Sequence, residues 1–126
     1  MIEIKDITKT YRKNGGMEVK VLQGVSLDIG KGEYVAIMAP SGMGKSTLCN
    51  TIMGLVPAAA GSVRSNGVEL LGRASHEIVN TGIGYVPQGR RVWPSLTVDE
   101  HLRLAARRGK GEWTVERIYQ TFTALA

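Results

Sequence analysis

Apolar and polar residues alternate along the first third of the chain. Ile2, Ile4 and Ile7 stand between charged neighbours, and Tyr11 closes the stretch before Arg12-Lys13-Asn14-Gly15-Gly16. This pattern predicts a strand followed by a turn. Val19, Val21, Val25, Leu27 and Ile29 then recur with a period of two, interrupted at Gln23-Gly24. They predict a second strand. After the turn signal Gly30-Lys31-Gly32-Glu33 comes Tyr34-Val35-Ala36-Ile37-Met38, an unbroken apolar run with turns on both sides. Such a run suits a strand covered on both faces, as in a parallel sheet.

Residues 46–55 read as a helix that Gly54 and Pro57 close. A connector, Ala58-Ala59-Ala60-Gly61, leads to a hairpin over residues 62–70, because Asn66-Gly67 favours a tight primed turn. A short helix over residues 76–80 and a strand over residues 83–86 follow. Thr97-Val98-Asp99-Glu100 has the form of a capping box ahead of a helix. In a last helix Val115, Ile118, Phe122 and Leu125 fall at helical spacing, with Thr114 as its N-cap. The chain carries no internal repeat and no low-complexity segment.

Composition adds little to this picture. The 126 residues suit one domain, and the apolar share of 43% and charged share of 21% are those of a globular protein. No apolar run approaches the roughly 18 residues of a membrane-spanning helix, and Met1-Ile2-Glu3-Ile4-Lys5-Asp6 has no apolar leader core. The single cysteine, Cys49, makes no internal disulfide, fits a reducing compartment, and is expected to be a small buried core residue. The net charge of +5 raises the question of nucleic acid. The only local basic excess is Arg90, Arg91, Arg103, Arg107, Arg108 and Lys110, and no stacking aromatics interleave these residues. A solvated helix face, or a surface toward a partner or anionic lipid, fits them better.

The chemistry lies in Ala39-Pro40-Ser41-Gly42-Met43-Gly44-Lys45-Ser46-Thr47, set between the apolar run and the first helix. Gly42 and Gly44 allow backbone conformations in which successive N–H groups converge on one anion. The helix that begins there adds its unpaired N–H groups and the positive end of its dipole. Lys45 reaches the β- and γ-phosphates of a nucleotide, and the Ser46 hydroxyl is placed for Mg²⁺. Thr47 adds a contact near the α-phosphate. Ala39 stands where glycine is commoner, a small departure because alanine accepts most conformations with negative φ. This loop, strand before it and helix after it, predicts binding of ATP with Mg²⁺. His76 and His101 stand apart without further ligands at metal spacing and read as surface residues. Asp99-Glu100 lacks the apolar run that precedes an acidic strand end, so the capping box is the better reading.

The phosphate loop alone does not choose among nucleotide-binding families. The segment Gly82-Ile83-Gly84-Tyr85-Val86-Pro87-Gln88 resembles the Q-loop of ABC transporter ATP-binding subunits. The likeness extends to Leu22-Gln23-Gly24-Val25-Ser26-Leu27 and to Pro94-Ser95-Leu96-Thr97-Val98-Asp99-Glu100-His101-Leu102, and so covers essentially the whole chain. It implies an α/β P-loop NTPase fold with an N-terminal antiparallel β subdomain and the start of a helical subdomain. Residues 1–38 would form the β subdomain and a core strand, 39–55 the loop and its helix, 56–88 the core up to the Q-loop, and 89–126 the start of the helical subdomain. By resemblance Tyr11 stacks on adenine, and Gln88 touches Mg²⁺ and the attacking water, so that Lys45 and Gln88 serve the reaction. Permease subunits in the membrane, a second ATP-binding subunit across the nucleotide, and a place on the inner face of the cell membrane are implied in the same way.

The part up to about Thr47 is similar to subunits for lipoprotein release and macrolide export. From about Ile52 the chain looks like branched-chain amino acid or urea importers, which favours import because the Q-loop region meets the permease. The family's Leu-Ser-Gly-Gly-Gln signature, Asp-Glu strand end and switch histidine are not among the 126 residues. About the first half of a subunit is therefore expected, binding Mg-ATP with negligible turnover by itself. Two other readings stand beside it: another P-loop NTPase such as a small-molecule kinase, and a non-catalytic nucleotide-binding module.

Overall fold

Alternate residues of a regular strand share a face, so Ile2 and Ile4 belong on one side and Ile7 on the other. In the computed structural model, which describes residues 1–12, 14–89, 91–106 and 111–125, all three serve one core. Ile4 and Ile7 are fully buried and Ile2 packs against them. The parity changes at Asp6. Strand β1 (Ile2–Arg12) carries an extra residue there against both neighbours, the register passing from Ile4↔Leu27 to Ile7↔Val25 and from Lys5↔Ser62 to Thr8↔Ala60. Asp6 takes φ 48°, and its N–H donates to Ser26 Oγ at 2.9 Å. The bulge is what lets a three-residue spacing of isoleucines face one way.

Strand β2 (Glu18–Ile29) answers with a bulge of its own. Ile7↔Val25 is followed by Thr8↔Gln23, so Gly24 is the extra residue. The predicted period of two therefore fails across Gly24. Leu22, not Val21, is buried with Val25 and Leu27 packed beside it.

Strands β3 (Ala60–Ser65) and β4 (Val68–Glu69) form the predicted hairpin, with φ 48° at Asn66 and 80° at Gly67 giving the primed turn. The sheet runs β2-β1-β3-β4, antiparallel throughout. Glu69 stitches its far edge, accepting from Ser62 Oγ at 2.5 Å and from the Val63 and Leu71 N–H groups at 3.0 and 3.2 Å. Burial pushes its carboxyl up, but these hydrogen bonds and that from Arg64 outweigh burial and hold it below the usual value.

Helix α1 (Lys45–Ile52) lays Leu48 and Thr51 on the core and ends sooner than residue 55, where Leu55 and Val56 both donate to Asn50 O. Cys49 is half-buried rather than buried, because it lies beside Leu48 on the helix flank. Helix α2 (Ser75–Asn80) inserts Ile78, which is fully buried.

The apolar run at residues 34–38 departs from expectation. It forms no strand pairing among the described residues, and Tyr34 and Met38 are 94% and 90% exposed. A strand covered on both faces needs parallel neighbours and flanking helices. The described strands form only the antiparallel sheet. Residues 83–86 likewise form no strand pairing among the described residues; Ile83 and Tyr85 touch the core and Val86 is exposed.

All of this belongs to one compact unit, Met1–Val86; Pro87–Ala126 forms a second. In the second unit, helix α3 (Val98–Ala105) opens on the predicted capping box. Thr97 Oγ1 accepts the Glu100 N–H at 3.3 Å and Glu100 Oε2 accepts the Thr97 N–H at 2.8 Å. That backbone hydrogen bond holds the Glu100 carboxyl below its ordinary value. Asp99 accepts from Arg103 Nε at 2.5 Å and from Tyr119 Oη at 3.5 Å, tying α3 to helix α4 (Val115–Thr121). Thr114 caps α4 through the Arg117 N–H. The helix closes at Phe122, so Leu125 falls in a separate 3₁₀ turn (Thr123–Leu125). His101 accepts the Trp93 N–H at 2.9 Å and stacks on the Trp93 ring, while His76 is exposed. Lys13 of the first predicted turn, and Arg90, Arg107, Arg108 and Lys110 of the basic group, lie outside the described residues.

Candidate functional site

Helix α1 begins directly from the glycine-rich loop, and its start differs from those of the other two capped helices described above. Thr97 caps α3 and Thr114 caps α4 with a side-chain oxygen. The residue before α1 is Gly44, which has no side chain to offer, and no acidic residue lies in its first turn. The first N–H groups of a helix have no intrahelical partner. Here those of Lys45, Ser46 and Thr47 are joined by two hydroxyls and one ammonium. The donor set holds no carboxylate. It fits a multiply charged phosphate group, with Ser46 the hydroxyl available to a Mg²⁺ ion.

Tertiary packing fixes where this donor set sits. Gly44 is buried, with φ 88°, and a Cβ built on it would lie 2.9 Å from Val21 O and 3.0 Å from Leu22 Cδ2. The loop therefore rests on the backbone of β2. Gly42, φ 82°, faces open space. Ala39, Pro40, Ser41 and Met43 are exposed, as is Ser46, whereas Lys45 and Thr47 are half-buried. Met43 N–H donates to Pro40 O at 3.4 Å and Leu48 N–H to Gly44 O at 2.8 Å. The Lys45 ammonium bridges the carbonyls of Ala39 and Pro40, the latter at 2.9 Å, which ties the two ends of the loop together.

Strand β2 also pairs with the strand that carries Tyr11. Tyr11 pairs with Val19, two residues before the Val21 that supports Gly44. Tyr11 is 39% exposed. Gln88 is exposed and belongs to the second unit. Tyr85, three residues earlier, donates its hydroxyl to Asn50 Oδ1 of α1 at 2.8 Å.

Two features of this region escape a reading by motif. Val21 and Leu22 form the floor under Gly44, a long-range contact that no local pattern announces. Lys9 places its ammonium over the Tyr11 ring, 5.2 Å from the centroid; its i, i+2 spacing on one strand was the available signal.

The family profile described as ABC transporter matches residues 22–125. The chain belongs to the ABC transporter family. A high-affinity branched-chain amino acid transport ATP-binding protein of Pseudomonas aeruginosa is 44% identical over 104 residues, covering 82% of this chain and 42% of that protein. A probable branched-chain amino acid transport ATP-binding protein of Archaeoglobus fulgidus is 38% identical, covering 87% and 47%. A macrolide export ATP-binding/permease protein of Marinobacter nauticus is 38% identical, covering 84% and 17%. The chain thus spans less than half the length of these curated relatives.

Among solved structures, a dimeric ATP-binding cassette in a post-hydrolysis state bound to ADP and Pi superimposes with a TM-score of 0.76 at 32% identity, covering 98% of this chain and 55% of that one. The fold is that of about half an ABC cassette, a P-loop fold with its antiparallel β sheet. No helix among the described residues is long and apolar enough to cross a membrane.

Proposed function

We propose that this chain binds Mg-ATP at residues 39–47 and serves as part of the ATP-binding subunit of an ABC transporter. The observation that carries the reading is the start of α1 behind Gly44, which has no side-chain cap and no acidic residue in its first turn, with Lys45, Ser46 and Thr47 as its first residues. In this reading Lys45 holds the β- and γ-phosphates, Ser46 ligates Mg²⁺, Thr47 contacts the α-region, and Tyr11 carries the adenine. By the family resemblance, Gln88 serves as a further Mg²⁺ and water contact.

Calorimetric titration of the 126-residue protein with Mg-ATP tests the site. Lys45→Ala should abolish binding, because the ammonium meets two phosphates at once. Equal affinity in wild type and variant would refute the assignment.

Turnover is a separate matter. Phosphoryl transfer needs an oriented, activated water as well as charge neutralisation. These 126 residues include neither a signature motif nor an acidic strand end, so we expect negligible hydrolysis from them alone. Phosphate release above a Lys45→Ala control would overturn that expectation.

Transport class follows from the stretch after α1. Residues 82–102 resemble branched-chain amino acid importers, and the curated relative at 44% identity is named for that transport. Import of branched-chain amino acids or similar solutes is therefore proposed, with permease subunits and a second ATP-binding subunit as partners on the inner face of the cell membrane. Co-purification with an exporter permease, and none with an importer permease, would reject it.

A further inference from the structure

Lys9 and Tyr11 lie two residues apart on β1, so their side chains share one face of the strand. The Lys9 ammonium stands over the Tyr11 ring, 5.2 Å from its centroid. It does not float there. Its Nζ donates to the Pro57 carbonyl at 2.6 Å, in the connector between α1 and β3. That connector is itself held against β1 by the Ala59 N–H, which donates to Thr8 O at 2.8 Å. The ammonium is thus fixed from behind by a peptide carbonyl and faces the π-cloud in front.

We propose that Lys9 is a positioning residue for the nucleotide base: it occupies one face of Tyr11, locks the ring, and leaves the opposite face as the only stacking surface. The inference rests on the nucleotide-binding reading of residues 39–47 and of Tyr11. Two physical effects act together. An aromatic ring attracts a cation over its face, which restricts ring motion that stacking would otherwise have to arrest. A ring blocked on one side also presents a single geometry to the base. Lys9 touches no phosphate in this proposal, so its contribution depends on the base.

The test compares two probes on the full chain, Mg-ATP and Mg-tripolyphosphate, the second having phosphates and no base. Lys9→Met keeps the aliphatic length and removes the charge. It should weaken ATP about two- to fivefold, the size of an exposed cation–aromatic contact, and leave tripolyphosphate unchanged. Lys9→Arg should restore ATP affinity, since guanidinium also stacks on tyrosine. In a Tyr11→Ala background Lys9→Met should have no further effect, because the coupling partner is gone. A readout without ligand is the NMR shift of the Lys9 ε-protons, moved upfield by the ring in wild type and returned to the ordinary position in Tyr11→Ala.

The proposal is overturned by equal loss for both probes, by unchanged ATP affinity, by an additive loss in the Tyr11→Ala background, or by failure of arginine to rescue. Tripolyphosphate binding that survives Lys45→Ala overturns instead the reading of the phosphate loop.

Discussion

Gly42 and Gly44 have the same backbone sign and different surroundings, so one substitution made at each isolates what packing contributes. Both carry φ near +85°, at 82° and 88°. Alanine at either position must hold a left-handed conformation, at about 1–2 kcal/mol. Both changes also reduce the entropy of the unfolded chain equally, so that part cancels in the comparison. At Gly42 nothing lies within 4 Å of the new Cβ. At Gly44 the Cβ meets Val21 O at 2.9 Å, with Leu22 Cδ2 and Val21 Cγ1 at 3.0 Å. A side chain could rotate aside, but Val21 O belongs to the backbone of β2. Overpacking of this kind adds about 1–3 kcal/mol. Gly44→Ala should therefore cost about 2–5 kcal/mol in total, against about 1–2 for Gly42→Ala. Urea unfolding followed by far-ultraviolet circular dichroism measures both, with unchanged slopes confirming that the midpoints report stability. Equal midpoints for the two variants, or a lower one for Gly42→Ala, would refute the claim that the loop rests on β2.

Three further outcomes are expected. Ile7→Ala, at a fully buried core position, should lose about 2–5 kcal/mol, whereas Tyr34→Ala, at a 94% exposed position, should stay within about 0.5 kcal/mol; the same urea titration checks both. The Glu69 carboxyl is held below its ordinary value in the folded state, so the unfolded chain takes up its proton first as acid is added. Its stabilisation is full above the unfolded value of 4.5 and is lost as pH falls through the folded one; Glu69→Gln should flatten the stability profile across that range in acid titrations of the melting temperature. Thr97→Ala removes the side-chain acceptor for the Glu100 N–H and should destabilise the start of α3 by about 1 kcal/mol, seen as faster amide exchange in its first turn with the β sheet unaffected.

What could be read from the chain in advance was whatever depends on neighbours in sequence. Thr97 and Glu100 cap α3 across three residues, and Asn66-Gly67 turns the β3–β4 hairpin within two. The glycines, lysine and hydroxyls of residues 39–47 declare an anion site because their chemistry and the helix start are contiguous. These interactions close over a few bonds, so little else in the protein can override them.

The remainder required partners that lie far along the chain. Ile4 and Ile7 share the core only because Asp6 bulges against Ser26 and Gly61 at once, and Leu22 replaces Val21 inside because Gly24 shifts the pairing. The run at residues 34–38 has every local mark of a buried strand and is exposed, since a strand exists only where another backbone supplies its hydrogen bonds. The same reason decides the site. The residues for binding phosphate were legible one by one, but that Gly44 sits on Val21, and that Lys9 backs Tyr11 from an anchor on Pro57, is set by how sheet and connector pack together.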